Sequence, residues 1–192
     1  MNNPTAITNP SAPVTLTGGP SYSPENYKLS NLSVNNGIGR LILASHDVTG
    51  KQESYVNIWV TGGTTSSGTG IIQQDPHVHV KIYGEGSILI GGAGWDNQTR
   101  LAANLMAFGV TPPSYVLRDF RVQSSTFIGV FNGGNTFDLT IEFGATFIGA
   151  AIGREADYSG AGAFHYDESL SNLSSTGGPV TYQYASWIED IR

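Results

Sequence analysis

The sequence predicts an all-β protein, a single-stranded right-handed parallel β-helix whose coils are about 20–25 residues long. Two observations support this prediction. A short run of alternating apolar residues that ends in a glycine or Asn-Gly turn returns five times, at residues 56–62, 78–84, 104–109, 127–132 and 147–152. The last two returns also share the letters Thr-Phe-Ile-Gly, at 126–129 and 146–149. Returns of this kind are typical of solenoids, in which each repeat stacks on the one before it.

The repeats align as two columns of apolar residues, two positions apart. Because side chains alternate between the two faces of a strand, both columns are predicted to point into the same interior. The first column contains Ile58, Val80, Leu105, Ile128 and Ile148, and the second contains Val60, Ile82, Ala107, Val130 and Ala150. The alternative is a β-sandwich, which would place Val80 and Leu105 in separate layers or join their strands by hairpins. The long period favours the β-helix.

Three segments are predicted along the chain. Residues 1–26 hold five prolines among Ser, Thr, Asn and Gly, which indicates an extended segment without a core of its own. Residues 27–168 hold the strands of the β-helix, with a Gly-, Thr- and Ser-rich loop at 62–70 and insertions at 95–103 and 111–114. Loops of this kind are where a solenoid usually binds its ligands.

The carboxyl-terminal segment, residues 169–192, leaves the repeat and contains an aromatic-rich run at 180–188. A solenoid end exposes unpaired strand edges, which invite aggregation unless they are covered. We expect this tail to cap one end of the β-helix or to lie along its outward face. The outward residues expected there are Trp59, Thr61, Tyr83, Lys81, Met106, Phe108 and Phe131.

Composition excludes several classes of function. The length of 192 residues suits one domain, and a net charge of −6 argues against a nucleic-acid partner, which needs a concentrated basic surface. No run reaches the ~18 apolar residues of a membrane span. The chain has no cysteine, which excludes a disulfide framework and every thiol-based site. Charged residues are only 12%, against about 25% in an average soluble protein. This make-up favours an exported, extracellular or cell-surface protein whose signal or anchor lies outside this sequence.

Two histidines are weak candidates for a metal site. His77 and His79 lie two residues apart on one predicted strand face, close to Asp75, and such a group could hold a transition metal. Lys81 continues the same face and would repel a cation. We therefore expect a solvated outer face here, with no metal and no cofactor.

The densest group of ionisable residues is Phe164-His165-Tyr166-Asp167-Glu168. A histidine beside carboxylates could perform acid–base chemistry, but a structural role at the end of the β-helix is the stronger prediction. No serine nucleophile with a recognisable elbow is present, and no glycine-rich segment has a Walker lysine. Arg118, Asp119 and Arg121 form the one cluster comparable to acidic-polysaccharide lyases, and alternation keeps the two arginines from both sharing a face with Asp119. The sequence therefore predicts a protein that is not an enzyme.

Several segments resemble one known family. Residues 82–88 and 91–94 resemble the strand–Gly–strand repeats of this family, and residues 97–98 and 103–109 resemble its N-Q and A-N-L segment. Residues 127–131 and 147–151 resemble its F-x-G-x-x coils, and residues 164–170 are similar to its closing F-H-Y-D-E-x-L motif. The family is an uncharacterised β-helical domain of exported bacterial PilX-like, type IV pilus-associated proteins. The chain departs from it at 132–135, where Asn-Gly-Gly-Asn replaces Ala-Pro-Asn, and in the absence of a pilin-like amino-terminal helix. The resemblance implies pilus or other surface proteins as partners, and it supplies no catalytic residues.

Together these features predict a non-enzymatic structural or adhesive module of the cell surface. Glycan binding would use Trp95, Asp96 and Asn97 in their loop, unless Trp95 folds over the edge of the coil. One alternative is a carbohydrate-active β-helix enzyme, a lyase or hydrolase, which requires carboxylates that converge in a groove. Another is a self-associating, bactofilin-like filament subunit.

Overall fold

The computed structural model describes residues 5–49, 51–110 and 116–172. These residues form seventeen β-strands and two short 3-10 helices, at Ala102–Asn104 and Glu168–Asn172, and they contain no α-helix. The strands are β1 Thr5–Thr8, β2 Val14–Thr17, β3 Glu25–Val34, β4 Arg40–Ala44, β5 Ser54–Val60, β6 Thr64–Ser66, β7 Ile71–Gln74, β8 Val78–Gly84, β9 Ile88–Gly91, β10 Trp95–Asn97, β11 Leu105–Gly109, β12 Arg118–Gln123, β13 Thr126–Asn132, β14 Phe137–Glu142, β15 Thr146–Ile152, β16 Glu155–Tyr158 and β17 Ala163–Tyr166.

The strands form three rows of parallel neighbours. Row A runs from the first part of β3 through β5, β8, β11, β13 and β15 to β17, and row B runs from the last part of β3 through β6, β9, β12 and β14 to β16. Because β3 belongs to both rows, they form one nearly closed sheet of thirteen strands, with β1 beside β3. Row C is a separate sheet of β2, β4, β7 and β10. The prediction of an all-β, parallel architecture is confirmed.

The spacing of the repeats predicted which strands are neighbours. Val80 of β8 lies directly opposite Leu105 of β11 in a parallel pair, which is the reverse of what a β-sandwich would give. The two copies of Thr-Phe-Ile-Gly also lie side by side, residue against residue, from Thr126 opposite Thr146 to Gly129 opposite Gly149. Each strand of row A therefore lies against the strand one repeat earlier.

The predicted interior columns are wrong in the second half of the chain. The side chains of Ile128, Val130, Ile148 and Ala150 face outward and are half-buried, whereas Phe127, Phe131 and Phe147 fill the interior. The register also differs, because Ile58 pairs with Ile82 and not with Val80; the true column is Ile58, Ile82, Ala107, Phe131 and Ala151. Phe131, expected on the outward face, belongs to this interior column. Both faces of these strands are apolar, so alternation alone could not tell inside from outside.

Row C ends at β10, and this narrows the interior of the remaining repeats. Only Ser124 and Ser125 separate β12 from β13, so there is no room for a strand of row C between them. The interior between rows A and B is filled here by phenylalanines. Phe120 contacts Phe127, Phe131 and Phe147, with ring centroids 5.2, 4.1 and 6.2 Å away, and Phe164 of β17 stacks on Phe147 at 5.1 Å.

The predicted segment boundaries can be placed on this architecture. The parallel rows include part of the segment 1–26, since β1 pairs with β3 and β2 with β4. The predicted loop 62–70 contains strand β6, which continues row B. Most of the tail, from residue 173, lies outside the described residues, as does most of the insertion at 111–114. In the described part of the chain, no helix is long and apolar enough to cross a membrane.

Candidate functional site

The three residues predicted to bind a ligand lie on β10, the last strand of row C. Alternation turns Trp95 and Asn97 into the interior and leaves Asp96 half-buried on the outside. Trp95 is only 3% exposed, and its Nε1 donates to Gln74 Oε1 at 3.3 Å. Glycan binding by Trp95 would need an exposed ring, whereas the ring is buried inside the coil and does not lie over its outer edge. Trp95 packs where row C ends and has no open face for a sugar ring.

Asn97 is a structural anchor. Asn97 is only 2% exposed, and its Nδ2 donates to the carbonyls of Leu101 and Ile128, both at 3.0 Å. Its Oδ1 accepts from the backbone N–H of Thr99 at 3.1 Å and from the Thr99 hydroxyl at 2.5 Å. Asn97 therefore ties the end of row C to β13, and its amide has no capacity left for a ligand.

Replacing Asn97 should destabilise the protein without changing its surface. In Asn97→Leu, the carbonyl of Ile128 and the backbone N–H of Thr99 lose their hydrogen bonds to the Asn97 side chain, and each polar group left unsatisfied in the interior costs about 1–3 kcal/mol. We expect the free energy of unfolding in urea to fall by at least about 2 kcal/mol. The matched control is Asp96→Asn on the adjacent, outward position, which should change it by less than about 0.5 kcal/mol. Equal effects of the two substitutions would contradict the anchoring role.

A shallow cavity of about 310 Å³ lies beside β10, at the step where row C ends. Six of its lining residues are Trp95, Asp96, Arg100, Ser125, Thr126 and Ile128. Asp96 Oδ2 accepts a hydrogen bond from Gln98 Nε2 at 3.1 Å. The cavity thus combines a carboxylate, an exposed guanidinium and two hydroxyls with an apolar side chain, a set of groups that suits a polyhydroxylated ligand. Of the three predicted residues, Asp96 alone retains free hydrogen-bonding capacity there.

His77 and His79 converge on one carboxylate, which belongs to Glu53. His77 Nδ1 lies 3.0 Å from Glu53 Oε1, and His79 Nε2 lies 2.8 Å from Glu53 Oε2. Tyr55 stacks on the His79 ring at a centroid distance of 4.5 Å and an interplanar angle of 6°. Each imidazole binds a different oxygen, so the three groups do not point at a common centre. In the described ranges, no group of three or more His, Asp or Glu residues has the arrangement to hold a metal ion.

The Glu53 cluster should make stability depend on pH in the acid range. The hydrogen bond with His77 lowers the pKa of the Glu53 carboxyl below its ordinary value of 4.5; burial opposes this shift and the bond with His79 adds to it. A lowered folded-state pKa stabilises the fold above pH 4.5, and this contribution is lost as the pH falls through the folded-state value. At neutral pH we expect the free energy of unfolding of the wild type to be about 0.5–1 kcal/mol higher than that of Glu53→Gln. The difference is this small because Glu53 and its histidine partners are partly exposed to solvent.

The measurement is urea unfolding of both proteins between neutral pH and pH 3. The difference between them should shrink as the pH falls through the folded-state pKa of Glu53, because a protonated carboxyl resembles the glutamine amide. A difference that persists or grows on acidification would show that the imidazoles do not stabilise the ionised carboxylate.

One serine–histidine pair was missed by the sequence analysis. His46 Nδ1 lies 2.7 Å from Ser54 Oγ, which also lies 2.8 Å from Ser45 Oγ and accepts the His46 backbone N–H at 3.1 Å. Ser54 is fully buried at the start of β5, so its hydroxyl cannot reach a substrate. The pair closes the corner between β4 and β5. No spacing in the sequence signals it, because the contacts depend on how the turn at 45–53 folds back.

The Phe164–Glu168 group closes the last rung of row A. Phe164 extends the interior phenylalanine stack, while His165 and Tyr166 are exposed. Asp167 accepts from the backbone N–H and the hydroxyl of Ser169 at 3.0 and 2.7 Å, at the start of the second 3-10 helix, where Glu168 lies. The backbone N–H of Asp167 donates to Gly149 O at 3.1 Å. These contacts fit the structural role that the sequence analysis favoured.

A column of carboxylates runs along the outer face of row B. Asp119, Asp138 and Glu155 are direct neighbours on β12, β14 and β16. Arg154 bonds both oxygens of Asp138, at 2.8 and 2.6 Å, and reaches Glu155 at 2.7 Å. Arg121 lies 3.7 Å from Asp119 and 3.6 Å from Glu142. Arg118 points elsewhere, donating to Glu85 O at 3.2 Å, so the two arginines do not share a face, as alternation predicted.

Comparison with protein families, with curated proteins and with solved structures found no match for this chain.

Proposed function

We propose that the chain is a right-handed parallel β-helix that acts as a non-enzymatic structural and adhesive module on the outside of a bacterial cell. The observation that supports this most is the order in which the chain visits its rows. β8, β9 and β10 lie in rows A, B and C, and β11 then returns to row A directly against β8. A chain that repeats this circuit builds a rod whose backbone hydrogen bonds are satisfied from rung to rung.

The outer faces support a structural role. Side chains there form ladders between successive rungs: Asn57 Nδ2 donates to Asn26 Oδ1 at 3.0 Å, and Trp59, Tyr83 and Phe108 stack with centroids 5.7 and 5.1 Å apart. Arg154 likewise joins carboxylates of two adjacent strands. Ionisable groups used in this way stiffen the rod. A stiff, charge-poor rod is suited to presenting a binding surface away from a cell.

The adhesive role would be played by the cavity beside β10, with surface glycans as the ligand class. The test is a glycan array probed with the wild type and with Asp96→Ala/Arg100→Ala. We expect the wild type to bind a defined subset of glycans, the double variant to lose that signal, and Asp119→Ala on row B to keep it. A wild type that binds no glycan, or a double variant that binds as well as the wild type, would overturn the adhesive assignment.

A carbohydrate-active enzyme is the second candidate, and the carboxylate column on row B is the observation that favours it. Glycoside hydrolysis needs two carboxyl groups about 5–9.5 Å apart, and neighbouring parallel strands lie about 4.8 Å apart. Incubation with acidic polysaccharides should release no reducing ends or unsaturated products if the non-enzymatic proposal is right. If such products are released, and if Asp138→Asn abolishes their release, the protein is a carbohydrate-active enzyme instead.

Association with pili and self-assembly can be separated by imaging. If the resemblance to pilus-associated domains holds, the partner is a pilus protein. A bactofilin-like subunit would instead bind further copies of itself through its ends. Negative-stain images of the pure protein should show short single rods. End-to-end filaments would replace the adhesive proposal with the filament one.

A further inference from the structure

The outer face of row C carries four polar side chains in a square, two at the end of β7 and two at the end of β10. Gln73 and Asp75 lie two positions apart, as do Asp96 and Gln98, and Asp96 pairs directly with Gln73. The Gln98 N–H donates to Gln74 O at 3.1 Å, which places Gln98 beside Asp75. These four half-buried residues are called the row C square. Each carboxylate in it has one amide neighbour along its own strand and another across from it.

Hydrogen bonds within the row C square orient its side chains and leave them able to bind a ligand. Gln73 Nε2 donates to Asp75 Oδ1 at 2.9 Å, and Gln98 Nε2 donates to Asp96 Oδ2 at 3.1 Å. A carboxylate has about four acceptor sites, and a carboxamide has a second N–H to donate. The square therefore offers both donors and acceptors, and they are oriented before a ligand arrives.

The row C square lies between two cavities. Asp96 lines the cavity of about 310 Å³ beside β10. Asp75 lines a second cavity, of about 400 Å³, together with Ala44, Val48 and His77 at the other end of the row C strands. The two aspartates are one strand and two residues apart, which is a distance of about 8 Å. That distance is longer than one pyranose ring, so a sugar ligand that contacts both aspartates must contain more than one unit.

We propose that the outer face of row C binds a linear, uncharged oligosaccharide, which extends from the cavity beside β10 across the row C square to the second cavity. The inference rests on the adhesive role proposed above and specifies its ligand class. Carboxylates and carboxamides suit sugar hydroxyls, because each hydroxyl both donates and accepts a hydrogen bond. Ile42, directly beside Gln73 on β4, and Ile71, which lines the first cavity, provide apolar contacts for the C–H groups of the sugar rings.

The charges on this face favour a neutral chain over an acidic one. Asp75 and Asp96 lie at two corners of the square, where the ligand would cross. The arginines of the same face are exposed: Arg40 reaches Gln73 Oε1 at 3.4 Å, and Arg100 lines the first cavity. An acidic polysaccharide would bring its own carboxylates against the two aspartates, and such like-charge contacts oppose binding. A neutral chain meets no such repulsion.

The test is an array of linear neutral glycans of one to six units (glucans, mannans, galactans and N-acetylglucosamine oligomers), with uronic acid oligomers of the same lengths. We expect the wild type to bind the longer neutral chains at least about tenfold more tightly than the single sugars, because two linked sets of contacts raise the overall affinity. Gln73→Ala/Asp75→Ala should lose this gain with length and still bind short glycans in the cavity beside β10. The matched control, Asn57→Ala/Lys81→Ala, removes an amide and a charge from the outer face of row A and should bind like the wild type.

The outcomes distinguish this inference from the adhesive role on which it rests. If Gln73→Ala/Asp75→Ala binds long chains as tightly as the wild type, while Asp96→Ala/Arg100→Ala loses binding, the adhesive role stands and the extended binding face is wrong. A wild type that binds no glycan overturns both proposals. A wild type that prefers the uronic acid oligomers overturns the assignment of an uncharged ligand.

A second measurement covers the case in which Gln73→Ala/Asp75→Ala unfolds the protein, which thermal unfolding would reveal. In the unchanged chain, the side-chain amide resonances of Gln73 and Gln98 should shift when the six-unit neutral oligomer that binds best on the array is added. Those of Asn26 and Asn57, on the outer face of row A, should not shift. Gln73 resonances that do not respond to the oligomer would refute the proposal.

Discussion

Phe120→Ala is expected to lower the free energy of unfolding by about 3–5 kcal/mol, the range for removing a fully buried phenylalanine. Phe120 is 0% exposed, and its ring contacts three others, of which Phe131 is the nearest at 4.1 Å. The surrounding rings belong to strands held in register on both sides, so they cannot collapse into the space that the substitution leaves.

The measurement is equilibrium unfolding in urea, with Phe143→Ala as the matched control. Phe143 is 64% exposed, so the same substitution there should change stability by less than about 0.5 kcal/mol. If Phe120→Ala and Phe143→Ala had similar effects, the phenylalanines would not form the shared interior of rows A and B.

Among the Gly→Ala substitutions in the strands of row A, Gly149→Ala is expected to lower the stability of the protein most. A Cβ at Gly149 would lie 1.9 Å from the carbonyl oxygen of Gly129, and the φ of 144° at Gly149 is one that L-residues rarely adopt. Backbone strain costs about 1–3 kcal/mol and overpacking another 1–3 kcal/mol. We therefore expect a loss of about 3 kcal/mol or more, or a failure to fold.

The control for this substitution is Gly134→Ala. Gly134 also has a positive φ, 56°, but a Cβ there meets nothing within 4 Å, so only the conformational cost of about 1 kcal/mol applies. Thermal unfolding of both variants separates close approach from backbone conformation. A Gly149→Ala protein as stable as Gly134→Ala would show that β13 and β15 are not in direct contact at this rung.

The sequence could predict which strands are neighbours, but it could not predict which face of each strand points into the interior. Identical letters at 126–129 and 146–149 indicated the pairing of β13 with β15, because like residues stack in solenoids. The same strands have large apolar residues at both odd and even positions, so alternation gave no basis for choosing between Phe127 and Ile128 as the interior residue. Bulk decides the choice: the phenylalanine rings fill the interior that row C no longer reaches.

The sequence indicated the segment that lines the cavity, but it did not indicate which way the side chains of that segment point. The insertion after β9 was recognised, and it does line a cavity, but the inward turn of Trp95 and Asn97 depends on their pairing with β7. Glu53 illustrates the same limit. It is 24 residues from His77 in the sequence and becomes its partner because Ser54 lies opposite Val78. A carboxylate one repeat away can be assigned to a histidine only once the register is known.

The central claim is that each strand of row A lies directly on the strand one repeat earlier, and paired cysteines test it most directly. Lys81 and Met106 are opposite each other on the outward side of β8 and β11, and Val130 is one strand further on. Neighbouring strands lie about 4.8 Å apart, within the range in which a disulfide forms, and two spacings exceed its limit of about 7 Å. Under mild oxidation of dilute protein, Lys81→Cys/Met106→Cys should form an intramolecular disulfide and Lys81→Cys/Val130→Cys should not. A bond between positions 81 and 130, or none between 81 and 106, would contradict the stacked arrangement.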